Sequence, residues 1–343
     1  MDRHRLIGIA LVLVSAAGFG SGTIIAAPVY DTGVDWLTLV QWRFLAGAGL
    51  AWAWVAASGS RRRAVRRLSR RQAAVALGLG ALYTGNSGTY YAALETVPAA
   101  LAGVLVYTYP VIVALLSMRF ATRLPGRRPW LALAVALSGV VLALGGIDVA
   151  TAPPATGLFL VMLSPLIYSV WIVLSARLSG ERRDRLGSDA PAGEATAGDA
   201  AVTTALMMSA TAGGFALGGA LAGRPLDPAG VPVEAWPGLV AIGFVASFLA
   251  IQTFYAGTRR IGAAQAALVS TVEPIYIVVL AAVALDQRLS PVQLVGAGLI
   301  LLGVVIAQTA PRAPGAPEPA TPLDSEVEGV PMPSETRVAT RFN

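Results

Sequence analysis

Val269-Ser270-Thr271-Val272-Glu273-Pro274-Ile275-Tyr276 places an acid and a proline in the middle of an apolar run, 263–284, whose nearest flanking charges are Arg260 and Asp286. If that run crosses a bilayer, Glu273 sits near the midplane. A carboxylate there costs about 2.5 to 3.5 kcal/mol on insertion scales, so it is expected to face a cavity, a partner or a proton source rather than lipid. Pro274 offers no N–H to the carbonyl of Ser270 and kinks the helix. An acid beside a broken helix at membrane depth defines a candidate site. Ser270, Glu273 and Tyr276 are spaced by three and are expected to share one helix face.

Composition sets the class around that stretch. The 343 residues are 55% hydrophobic and 13% charged, with a mean hydropathy of +0.67, which a water-soluble domain of this size would not tolerate without aggregating. A net charge of +6 carries no nucleic-acid reading, because all 25 basic residues are arginine and they sit between apolar runs. With no cysteine there is no disulfide, thiolate nucleophile or cysteine metal site, and the single histidine, His4, precedes the first apolar run. That first run is longer than the roughly 7–15 apolar residues of a signal peptide and reads as an uncleaved helix.

Ten apolar runs are long enough to cross about 30 Å of hydrocarbon: 6–28, 36–57, 72–94, 99–120, 129–147, 157–176, 200–222, 236–258, 263–284 and 291–309. The arginines test this count. With a cytoplasmic N-terminus, the inside segments hold 22 of the 25, the outside segments hold only Arg224 and Arg288, and Arg43 is intramembrane. The expected fold is an all-α polytopic membrane protein with both termini cytoplasmic.

An internal repeat organises the ten. A shift of 164 residues brings Tyr91-Ala92 onto Tyr255-Ala256, Pro110 onto Pro274, and Gly139-Val140-Val141 onto Gly303-Val304-Val305 without a gap. A weaker match at a shift of 149 brings Ser15 onto Ser164 and Phe19 onto Tyr168. Five helices per unit is an odd number, so the second unit enters the membrane inverted. Two inverted five-helix repeats, 1–147 and 148–309, are followed by a tail, 310–343, and the second contains a cytoplasmic linker, 177–199. Linker and tail are rich in Ala, Gly, Pro and acids and read as disordered connectors. Inverted repeats build alternating access with the site at midplane, and Pro110 and Pro274 are the candidate hinges.

Val272-Glu273-Pro274, Leu285-Asp286-Gln287-Arg288-Leu289-Ser290, Gln293, Gly296-Ala297-Gly298-Leu299-Ile300 and Leu302-Gly303-Val304-Val305 resemble the closing portion of the second EamA unit of the drug/metabolite transporter superfamily. The resemblance covers roughly 6–309 and includes Arg43, which looks like the family's arginine in helix 2. Asp286-Gln287 stands where the family has Gly-Glu, and Ala121-Thr122-Arg123-Leu124 in the first unit lacks the acid. The resemblance implies a secondary transporter of small metabolites, commonly an exporter of amino acids or related compounds, with a central cavity between the units.

Further candidates for the cavity wall are Asn86 and Tyr90 on the third run, Tyr109 beside Pro110, Tyr168 and Trp171 on the sixth, and Gln252 on the eighth. Arg43, about 10 Å below the outer end of its helix, is an anion clamp, a partner for Glu273, or a structural arginine snorkelling to the interface or bonding helix-end carbonyls. The polar residues in these helices equally serve packing. An aromatic cavity with one acid suits a substrate with an apolar body and an amine. Enzyme readings fail for want of chemistry: Gly85-Asn86-Ser87-Gly88 has no intramembrane histidine as base, and the chain has no lysine for a phosphate loop. No cofactor is called for. The expected partners are a small-molecule substrate and the lipid bilayer. A lipid-handling, flippase-like protein or a non-transporting scaffold stays open as the alternative. Arginine without lysine, with abundant Ala and Gly, points to a bacterial inner membrane.

Overall fold

The structure is a computed structural model that describes residues 3–120, 127–145, 152–178, 200–224, 226–261, 266 and 269–308. Thirteen α-helices and no strand occur among them: α1 (Arg3–Asp31), α2 (Trp36–Ala56), α3 (Gly59–Arg67), α4 (Arg70–Leu94), α5 (Ala99–Val106), α6 (Tyr109–Phe120), α7 (Arg128–Gly145), α8 (Ala155–Leu178), α9 (Ala200–Leu221), α10 (Trp236–Ile242), α11 (Ala250–Ile261), α12 (Val272–Ala284) and α13 (Pro291–Gln308). A π-helical segment, Gly243–Leu249, joins α10 to α11. The linker beyond 178 and the tail from 309 lie outside the described residues.

The helix ends follow local chemistry. Asp35 caps α2, its carboxylate accepting from the N–H groups of Leu37 and Thr38. Ser69 and Gln72 form a capping box at the start of α4. Asp286 closes α12 with a positive φ of 51°, while the N–H groups of Leu285 and Gln287 both return to the Ala281 carbonyl. This left-handed position is where the related pattern has glycine, and Asp is among the residues that tolerate it. Asp286→Gly is expected to stabilise the protein by about 0.5–1 kcal/mol, since the left-handed conformation costs an L-residue about 1–2 kcal/mol and glycine recovers part of it against its own chain entropy. Thermal unfolding in detergent reads the effect, and a lowered midpoint would count against it.

The expected ten spans need correction in two places. The run 99–120 is two helices, interrupted at Tyr107-Thr108, because Pro110 supplies no N–H and its ring crowds the preceding turn. The run 263–284 is also broken. Thr271 is a turn and α12 begins at Val272, so Glu273 and Pro274 occupy the first turn of a half-helix instead of the middle of a long one. Pro is compatible with that first turn because its missing N–H has no partner there anyway. Residues 262–265 and 267–268 lie outside the described residues.

Among the described residues four helical stretches are long and apolar enough to cross a membrane: Arg5–Asp31, Ala155–Leu174, Ala201–Leu221 and Val233–Phe254. Ala99–Val113, Trp130–Leu144, Val272–Ala284 and Pro291–Ile306 are apolar but shorter. Helices α2 and α4 have the length, at 21 and 25 residues, but polar residues and arginine dilute them. Val141, Phe159 and Val279 stand more than half exposed, as expected of side chains meeting lipid.

The core is made by pairs of helices: α1 with α11, α4 with α8, α2 with α9, α5 with α12, and α7 with α13. Further contacts join α1 to α12 and α6 to α8, and α4 to α9 and α2 to the π segment. The α7–α13 contact is backbone to backbone: a Cβ on Gly139 would lie 2.6 Å from the Gly296 carbonyl oxygen and 2.7 Å from the Ile300 nitrogen. Gly303 meets Ala132 and Ala136 in the same way.

At one end of the bundle Arg224 pairs with Asp35, and Glu95 Oε1 accepts from the Trp36 N–H at 2.6 Å. At the other end, α2 runs into the arginine-rich helix α3, which the sequence reading had left as a connection.

Candidate functional site

Helix α12 packs its length against α1 and α5. Glu273 stands in its first turn, just beyond Ser270, whose carbonyl accepts from the Tyr107 hydroxyl. Glu273 is half-buried, and among the described residues its carboxylate makes no hydrogen bond or ion pair. An acid in the first turn is favoured by the helix dipole, which lowers the cost of placing it there.

From Tyr107 an aromatic wall runs away from the acid. Ring centroids lie 5.4 Å apart for Tyr107 and Tyr109, 4.8 Å for Tyr109 and Tyr168, and 5.6 Å for the stacked pair Tyr168 and Trp171. Tyr83 continues the wall from Trp171 to Phe44. Helix-to-helix bonds hold it in place: Ser169 Oγ donates to the Tyr109 carbonyl at 3.1 Å, Trp171 Nε1 to the Leu79 carbonyl at 3.0 Å, and the Tyr107 hydroxyl to the Ser270 carbonyl.

Arg43 closes the circuit. Its guanidinium carbon lies 4.8 Å from the Phe44 ring centroid and 4.4 Å from that of Tyr91, and its Nε donates to Ser247 Oγ at 2.8 Å. Its Nη1 is buried without a partner among the described residues. Among the described residues Arg43 and Glu273 do not form an ion pair. Ser247→Ala is expected to cost about 1.5–3 kcal/mol, because it leaves a second nitrogen of a buried cation unpaired. Ser247→Thr, which keeps the hydroxyl, is the comparison, and equal loss in both would remove the hydrogen bond as the cause.

The remaining expected site residues divide. Tyr90 bonds Thr23 across to α1 at 3.0 Å, and Tyr276 bonds Ser21 at 2.9 Å. Asn86 is tied to α8, its Oδ1 accepting from Ser164 Oγ at 2.9 Å. Ser270 is buried just before the turn at Thr271, and its hydroxyl donates to the Ala266 carbonyl at 2.9 Å. Gln252 stands on α11, and its Nε2 is buried without a partner among the described residues. No ring or hydrogen-bond contact among the described residues joins it to the aromatic wall. Pro110 and Pro274 both sit in the first turn after a break, at α6 and α12.

Ser247, Ser21 and Tyr91 were not in the sequence-derived set. Tyr91 marks the repeat in the sequence, and Ser21 lies on α1, away along the chain from the candidate residues that the sequence points to. Ser247 carried no local signal, since its role depends on a residue 204 positions away.

A groove of about 360 Å³ lies on the other side of α12, between α5 and α13, lined by Val104, Tyr107, Ile275, Val278 and Leu301 among others. It is apolar and holds neither Glu273 nor Arg43, so it is distinct from the polar site.

Described residues whose secondary structure is helical throughout, with an apolar exterior, an acid at a helix break, and a buried arginine and tyrosines within the bundle, fit the class of multi-pass membrane transporters. The chain is a member of the EamA-like transporter family, whose model matches residues 6–145 and 187–309. That family lies within the drug/metabolite transporter superfamily, and its members are transporters rather than enzymes. No curated protein matches the chain. A solved crystal structure aligns with a TM-score of 0.57 at 22% identity, covering 89% of this chain and 96% of its own, which establishes likeness of fold alone.

Proposed function

We propose that the chain is a secondary transporter that exports small metabolites, amino acids or related amines, by alternating access about a midplane cavity between the two repeats. The observation that carries this reading is an acid without a hydrogen-bond or ion-pair partner among the described residues, at the break that starts α12, where the Tyr107 hydroxyl at the head of an aromatic wall bonds the Ser270 carbonyl. A protonated amine fits against the carboxylate and the aromatic wall. Tyr90, Tyr109, Tyr168, Trp171, Tyr276 and Asn86 shape the space, and Gln252 adds a polar group on the α1 side. Pro110 and Pro274 are the hinges.

Ten spans in two inverted repeats, 1–147 and 148–309, accord with the packing. Exchanging the halves turns α1–α11 into α8–α4, and α1–α12 into α8–α6, while α2–α9, α5–α12 and α7–α13 map onto themselves. The 164-residue shift carries Gly139 against Gly296 and Ile300 onto Gly303 against Ala132 and Ala136. With 22 arginines on the N-terminal side of the membrane, both termini are cytoplasmic, in a bacterial inner membrane.

Proteoliposomes loaded with a panel of amino acids and small amines, with and without an imposed pH gradient, test the reading. Accelerated flux of at least one amine-bearing solute is expected. Folded protein that moves none of them would shift the assignment to lipid handling or scaffolding.

A further inference from the structure

Seven arginines fall within 61–71, and no carboxylate lies between Asp35 and Glu95. On α3 the positions 61, 64, 65 and 68 follow the i, i+3, i+4, i+7 spacing of one helix face. That face is used internally: Ala64, Val65 and Leu68 pack against the core. Arg61 lies 4.1 Å over the Trp54 ring and donates to the Trp54 carbonyl, while Arg62 Nη1 donates to the Ala56 carbonyl, both at 2.8 Å. These two arginines close the C-terminus of α2.

The other five have no such employment. Arg63, Arg66, Arg67, Arg70 and Arg71 are exposed, and among the described residues none of them enters an ion pair. Pairs spaced by three and four, such as Arg63 with Arg66 and Arg67, repel one another, and arginines in the first turn of α3 oppose the helix dipole. The arrangement lowers stability unless anions are supplied from outside.

We propose that this arginine face is a seat for the anionic headgroups of the leaflet in which the chain is embedded. Place and charge select that occupant. Only Ala57-Ser58 separates α3 from α2, and only Leu68-Ser69 separates it from α4, so α3 is held at the membrane border where headgroup phosphates are the nearest anions. Trp54 beneath Arg61 is 43% exposed, as expected of an indole at the interface. Guanidinium groups bind phosphate oxygens through paired hydrogen bonds, and clusters of this size beside a membrane helix recruit acidic lipid.

The test uses the full chain in detergent micelles doped with phosphatidylglycerol or with phosphatidylcholine. Phosphatidylglycerol is expected to raise the wild-type unfolding midpoint by several degrees over phosphatidylcholine, through preferential binding to the folded state. The increment is expected to disappear in high salt and in the variant carrying Arg→Gln at 63, 66, 67, 70 and 71. An undiminished increment in that variant, or none in the wild type, overturns the proposal. Should the fivefold variant fail to fold, R66Q/R67Q is expected to lose a clear share of the increment, and an unchanged value there also overturns it. An increment that appears only after removal of 309–343 would assign the seat to the chain's own acidic stretch, 318–335, and reject the lipid.

Discussion

Glu273→Gln is expected to abolish pH-gradient-driven flux in proteoliposomes while the protein remains folded. Glutamine has nearly the shape of protonated glutamate but can neither carry the charge that holds an amine nor release a proton. Among the described residues the carboxylate has no hydrogen-bond or ion-pair partner, so the substitution strands nothing. The folded state is expected to hold or gain stability, since an interior charge is costly to place. Truncating one member of a buried charge pair costs about 2–5 kcal/mol, so binding of a cationic substrate is expected to weaken by ~30-fold or more. Isothermal titration with a transported amine and flux assays on the same preparation separate the two effects. Wild-type flux and affinity in the variant would reduce Glu273 to a filler beside Pro274.

Gly139→Ala is expected to destabilise the protein strongly for a single added methyl group. The added carbon would lie 2.6 Å from the Gly296 carbonyl oxygen and 2.7 Å from the Ile300 nitrogen, both backbone atoms that no rotamer change can move. The two helices must separate along their length, giving up the close approach that small residues permit where no hydrophobic effect drives helices together. Overpacking of this kind costs about 1–3 kcal/mol. Gly298→Ala is the control on α13, where a Cβ meets nothing within 4 Å. There the same change is expected to stabilise by about 0.4–1 kcal/mol through the unfolded chain. Equal midpoints for the two variants would show that α7 and α13 do not meet as described.

The class and most of the helices were legible because a bilayer imposes a coarse code: long apolar runs, arginines between them and one acid out of place. Helix α3 was not, because a nine-residue segment with five arginines has the composition of a loop, and only its face spacing marks it as a helix. The interruption at Tyr107-Thr108 had a visible cause in Pro110, yet hydropathy alone fused its two halves. The face expected for Ser270, Glu273 and Tyr276 assumes an unbroken helix, and hydropathy gives no sign of the turn at Thr271 that falls within it. Arg43 and Glu273 each stood out as intramembrane charges. The surroundings of Arg43, with Tyr91 on α4 and Ser247 in the π segment, depend on how those elements meet α2 in space.

The π segment Gly243–Leu249 carries one residue more than an α-helix of equal rise would need. On its near side Ser247 must face α2 to receive Arg43. On its far side Gly257 must face α1, where a Cβ would strike Val12 and the Gly8 carbonyl. Those two obligations belong to different rotational phases of one helix, about 100° apart for each residue inserted. Deleting one residue of the segment other than Ser247 is therefore expected to turn α11 by about 100° relative to α1 and disengage the two.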